Sequence, residues 1–121
     1  MTDLTCWNAY NANCLARQLL SRIADKWTIL IVGALSNGPV RFGEIHRKVD
    51  GISKKVLTDT LRSLEGDGLL FRTVHPSSPP AVEYGLTDLG RSFINTALGV
   101  KQWVEAHVTE VEEARGQKLI G

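Results

Sequence analysis

Four clusters of turn-forming residues cut this chain into pieces too short for anything but short helices and short strands. They are Ser36-Asn37-Gly38-Pro39, Asp50-Gly51, Asp67-Gly68 and Pro76-Ser77-Ser78-Pro79-Pro80. Glycine admits backbone angles other residues avoid, and proline removes a backbone donor, so neither sits easily inside a regular element. Between the clusters the apolar spacing is legible. Leu15, Leu19, Leu20 and Ile23 form one helical face; Trp27, Leu30, Ile31, Ala34 and Leu35 form a second. Phe42, Ile45 and Val49 mark a short third helix, and Val56, Leu57, Leu61 and Leu64 a fourth with Ser53 placed to cap it. Leu69 to His75 and Ala81 to Leu86 are β-rich runs joined by the proline segment, which predicts a hairpin. Thr87 stands at an N-cap position before one long helix through Leu89, Phe93, Ala97, Val100, Val104 and Val111.

This order predicts a mainly α fold with a small β-hairpin wing: an α+β winged helix-turn-helix with N- and C-terminal dimerisation helices. The 121 residues fit one domain, 1–121. Within it we expect an arm and dimerisation helix over 1–24, the helix-turn-helix and wing over 25–87, and a dimerisation helix and tail over 88–121. The terminal helices carry more apolar surface than so small a core covers. Leu15, Leu19, Leu98, Trp103 and Val104 are therefore expected at a homodimer interface.

The fourth helix carries the chemistry. Leu57, Leu61 and Leu64 must face the core. The other side presents Lys54, Lys55, Thr58, Asp59 and Arg62, with Ser53 at the dipole's positive end. An apolar stripe that locks the helix down and long donors that reach outward are what readout in a DNA major groove requires. Asp59 would accept from a cytosine or orient a neighbouring cation. A solvated charged surface helix is the alternative. Arg41 and Arg47 (with Lys48) are candidate phosphate clamps. Arg72 and His75 on the hairpin are candidate backbone contacts, unless Arg72 pairs with Glu83 across the strands.

The net charge of +1 decides nothing, but its distribution does. From Arg41 to Arg62 six Lys or Arg face three Asp or Glu, a local excess of three positive charges.

Two cysteines are too few for a disulfide scaffold, so a reducing cytoplasm is expected. Cys14 at the start of the first helix, near Arg17, has the setting of a low-pKa regulatory thiol; a small buried hydrophobe is the alternative. Cys6 is expected in a disordered arm rather than as its partner. The longest apolar stretch, Trp27 to Leu35, is about half of a membrane span, and no secretion signal is visible. No catalytic constellation, metal-ligand spacing or cofactor motif is found. The Gly33–Gly38 spacing of a P-loop is followed by Pro39-Val40 rather than Lys and Ser or Thr. His46, His75 and His107 are far apart in sequence.

The chain resembles the HxlR family of bacterial winged-helix regulators. The matching stretches are Cys14 with Lys26-Trp27, Gly38 to Ile45, Gly51 to Thr58, Leu61 to Leu69 and Pro79 to Gly90. The resemblance covers roughly residues 14 to 90. It implies homodimers held by the terminal helices, binding to double-stranded DNA at a pseudo-palindromic operator, and regulation that in some members responds to electrophiles or oxidants. Independently of the resemblance, a pocket between the first and last helices is a candidate site for an apolar or aromatic effector. Ala81 stands where the family commonly has Arg or Lys, and Leu15-Ala16-Arg17 where it commonly has Pro-Val-Glu. The rival from another class is a winged-helix protein-interaction module without DNA binding.

Overall fold

The computed structural model describes residues 6–116. Its elements run α1 (Leu15–Ile23), α2 (Lys26–Ala34), β1 (Val40–Arg41), α3 (Phe42–Lys48), α4 (Lys54–Gly66), β2 (Leu70–His75), β3 (Ala81–Leu86), α5 (Asp88–Arg91) and α6 (Ile94–Ala114). The winged helix-turn-helix is present: α3 and α4 meet across the Asp50-Gly51 turn, and the β2–β3 hairpin follows.

Side-chain caps set the helix starts. Asp25 accepts from the Trp27 N–H at 2.8 Å, Ser53 from Val56 at 3.0 Å and Thr87 from Gly90 at 3.1 Å. Each cap satisfies a donor the first helical turn leaves open. Gly68, at φ +79°, supplies the left-handed residue that closes α4 and starts the wing.

The core gathers Ile31, Val32 and Leu35 of α2, Ile45 of α3, and Leu57, Leu61 and Leu64 of α4 under Leu70, Tyr84 and Leu86 of the sheet. The three α4 leucines are 0 % exposed. Each contributes about 1.5–3 kcal/mol by leaving water. Val56, read with them from the sequence, is exposed and lines a cleft with Trp27.

Two differences from the sequence reading have clear causes. The hairpin gains a third strand. β1 pairs antiparallel with β3 through Val40↔Tyr84 and Arg41↔Glu83, giving the order β1-β3-β2. Two residues carry no periodicity, so this strand was invisible. The expected single long helix is also broken at Ser92–Phe93. Gly90 lies so close to the start of the wing that an added Cβ would collide with the Leu69 carbonyl oxygen. That contact pins α5 to the sheet, and Phe93 and Ile94 then turn inward onto the core. Leu89, read in the apolar row of that helix, is exposed.

Of the cysteine expectations, the burial of Cys14 stands, while the reactive thiolate and the unpaired Cys6 are corrected. Cys6 and Cys14 are joined in a disulfide, and Cys14 is 1 % exposed. Cys14 is therefore not an accessible thiolate, and Cys6 is its partner. Arg17, expected to favour that thiolate, instead donates from Nε to the Ala9 carbonyl at 2.6 Å and from Nη2 to Tyr10 at 2.9 Å.

Candidate nucleic-acid interface

The α4 helix divides as its sequence demands. With Leu57, Leu61 and Leu64 sunk in the core, the opposite side turns Lys54, Lys55, Asp59 and Arg62 to solvent, with Thr58 half-buried beside them. Lys55 Nζ donates to Asp59 at 3.2 Å one turn on. Asp59 is thus engaged with a neighbouring cation on the exposed face of the helix. Lys54 and Arg62 enter no ion pair with the described residues, so their charge faces water. The Ser53 hydroxyl oxygen is committed to capping, and its proton stays available to an outside acceptor.

Arg72 lies with its Nε 3.8 Å from Glu65 of α4, not against Glu83. Glu83 takes His75 instead, at 3.3 Å. The cross-strand register explains the exchange: Arg72 stands opposite Tyr84, and Glu83 opposite Thr73. Arg72, Glu65 and Arg62 all act on the Tyr84 hydroxyl. Burial pushes its pKa up from the ordinary value; Arg72 and Arg62 pull it down and Glu65 raises it. The wing is thereby tied to the C-terminal half of α4. Glu65 and Tyr84 were not singled out from the sequence, although Glu65 lies one helical turn beyond Arg62.

Arg41 closes β1 and is the N-cap residue of α3; Arg47 lies in the last turn of that helix. Both are exposed and enter no ion pair among the described residues. His75 sits at the tip end of β2 opposite Ala81, so Ala81 flanks the tip of the wing.

Of the residues expected to meet a second subunit, Leu15, Leu19, Trp103 and Val104 are exposed. Leu98 is not free in the same way. It is half-buried toward α2, where it lies 3.4 Å from the place a Cβ on Gly33 would occupy. Trp103 stacks on His107 with ring centroids 4.4 Å apart. A groove of about 250 Å³ lies between α2 and α6, lined by Lys26, Ile29, Leu30, Val100, Lys101 and Val104. This groove lies on the second helix rather than on the first, where the sequence reading places an effector pocket with the last helix. No helix among the described residues is long and apolar enough to cross a membrane.

A family model for the HxlR-like helix-turn-helix matches residues 22–112. The chain is 36% identical over 111 residues to the HTH-type transcriptional regulator YtfH of Escherichia coli (strain K12), covering 92% of this chain and 88% of that one. A structure of ytfH from Salmonella typhimurium superposes with a TM-score of 0.86 at 35% identity, over 91% of this chain and 98% of that chain. The redox regulator HypR in its oxidised form superposes with a TM-score of 0.70 at 36% identity, over 77% and 96%. The helix-turn-helix and wing described above lie inside the matched span, and this chain belongs to the HxlR-like helix-turn-helix family of transcriptional regulators, which are not enzymes.

Proposed function

We propose that this chain acts as a homodimer that binds double-stranded DNA in a sequence-specific manner. The observation that carries the reading is the division of α4: three leucines fully buried, and Lys54, Lys55, Asp59 and Arg62 held outward on a helix that cannot roll. In this mechanism each subunit places α4 in a major groove. The two grooves lie about 34 Å apart on a pseudo-palindrome. Lys54, Lys55, Thr58 and Arg62 supply base-edge and phosphate contacts, Ser53 donates at the helix N-terminus, and Arg41 and Arg47 add phosphate contacts. Arg72 lies against Glu65 of α4 and His75 pairs with Glu83 within the wing, with contact to the DNA backbone as their second role.

The test is retention of the duplex upstream of the chain's own gene at two salt concentrations. Binding should weaken steeply with salt as counterions are released. If Lys54→Ala with Arg62→Ala left affinity and specificity unchanged, the assigned face would be wrong. Salt-insensitive binding to a protein, with no retention of DNA, would favour the interaction-module alternative.

A second reading concerns the signal. The Cys6–Cys14 bond, together with the similarity to a redox regulator, supports a response to oxidation state. Here the bonded pair replaces a lone Cys14 thiolate as the reactive group. DNA affinity equal before and after treatment with a dithiol reductant would exclude it and turn the search to a small apolar effector in the α2–α6 groove.

A further inference from the structure

Alone among the described helices, α1 buries none of its residues. Ala24 and Asp25, both exposed, join it to α2, and Ile23 at its end packs on the core. One polar contact carries α1 across to α4. Arg22 Nη1 donates to Asp67 at 2.7 Å and points at the Ser63 carbonyl at 3.5 Å. Asp67 is the C-cap residue of α4, and the last turn of that helix holds no basic residue. A helix C-terminus carries partial negative charge and Asp67 adds a full one, so a cation is favoured there. It arrives from 45 positions away in the chain.

Open clefts flank this ion pair on both sides. One of about 240 Å³ lies toward Trp27, Val56 and Thr60; the other, about 190 Å³, lies toward Leu15, Gln18 and Leu19. Arg22 lines both, so the pair bridges a gap between α1 and α4. Helix α6 is fastened otherwise. Its Ala97 is 0 % exposed, and Leu98 lies 3.4 Å from where a Cβ on Gly33 of α2 would point. It cannot swing without opening the core, whereas α1 can pivot at residues 24–25 once Arg22 lets go.

We propose that Arg22 is a positioning residue for DNA recognition: its ion pair with Asp67 fixes the angle between α1 and α4, and with it the half-site spacing a dimer accepts. The inference rests on the homodimer reading above, in which α1, with Leu15, Leu19 and Leu20 exposed, meets the second subunit. Two α4 helices read a pseudo-palindrome only when their separation and twist match it. One base pair added between half-sites moves these apart by about 3.4 Å and turns them by about 35°. A dimer whose α1 pivots absorbs part of that displacement; one braced by Arg22 does not. Both partners are partly exposed, at 42 % and 29 %, so the pair adds little to folding, and the same weakness limits its effect on spacing to several-fold.

The test uses the full chain and a duplex that the wild-type protein selects from random sequence, rebuilt with one base pair added to or removed from its centre. Wild type should prefer the selected spacing. Arg22→Ala should shrink that preference about three- to fivefold, with the dimer dissociation constant and thermal midpoint near wild type. Asp67→Ala should do the same, and the double variant should add little to either. Arg22→Lys should keep most of the preference. Arg22→Asp with Asp67→Arg should regain what Arg22→Asp alone loses. A purely structural defect would weaken binding by one factor at every spacing and leave the preference intact. That result, or two single effects that simply add, would overturn the brace while leaving the DNA-binding dimer in place. A wild-type chain that selects no paired half-sites would overturn the dimeric operator reading, and the brace with it.

Discussion

Helices α4 and α6 carry apolar stripes of similar spacing and meet opposite fates. In α4 the stripe ends in Leu57, Leu61 and Leu64, all 0 % exposed, and the helix is pinned from beneath by its own chain. In α6, 21 residues long, only Ala97 is buried, while Val100, Trp103, Val104, Val108 and Val111 remain exposed, Trp103 at 60 %. The stripe on α4 is consumed in folding, which frees its polar face for an outside partner and holds that face still. The stripe on α6 exceeds the core available to it and is left exposed. One small domain thus holds a charged face still and leaves an apolar one exposed, by how far each helix lies over a limited core.

The contrast breaks most severely through the core. Leu61→Ala should cost about 2–5 kcal/mol of folding stability, read as a lowered denaturant midpoint at unchanged slope. An equal loss from Val108→Ala would mean that α6 is as much a part of the core as α4. On α6 the expected effect is on association. Trp103→Ala should weaken the dimer by the order of tenfold, seen by sedimentation, with the far-ultraviolet spectrum unchanged. On the outer face of α4, Lys54→Ala with Arg62→Ala should leave thermal melting within about 0.5 kcal/mol of wild type. The same pair should weaken DNA binding and flatten its logarithmic salt slope by about one for each phosphate contact removed. Ser53→Ala removes the cap of α4 and should cost about 1 kcal/mol in chemical denaturation; no change would mean that packing alone fixes the start of this helix.

The smallest effect concerns the tie between α4 and the wing. The buried Tyr84 hydroxyl has its pKa raised by burial above the ordinary value of 10.0. The unfolded chain therefore ionises this group first. The stability linked to it is fully present below the unfolded value and is lost as pH rises through the higher folded one. Tyr84→Phe should flatten that alkaline decline in pH-dependent melting. An unchanged decline would show that Tyr84 does not report the seam beneath α4.

The helix-turn-helix was legible because its elements are bounded by capping residues and turn glycines, and because α4 repeats its leucines at helical spacing. Its outward face followed from the same spacing, since what is not apolar must point away from the core. The partners of Arg72 and His75 were not legible. Sequence places Arg72 near Glu83 in a hairpin of unspecified register, and the observed register instead sends Arg72 to Glu65 and His75 to Glu83. One residue of register reverses which sheet face a side chain occupies. The cysteine pair was missed for a similar reason. Eight positions of separation say nothing of whether the chain between them folds back, and it does so through local hydrogen bonds to Asn8, Asn11 and Arg17.

What the amino-acid order determined alone was local: where helices start and stop, which side of α4 is apolar, and that two β-rich runs must turn back on each other. These follow from backbone sterics, capping and periodicity within a few residues. Tertiary structure decided what depends on distant segments meeting. It placed β1 on the hairpin's edge, broke the last helix where Gly90 meets the Leu69 carbonyl, and closed the Cys6–Cys14 ring. It also decided which apolar stripe the core could cover, because that depends on the volume all the elements enclose together and on no one of them.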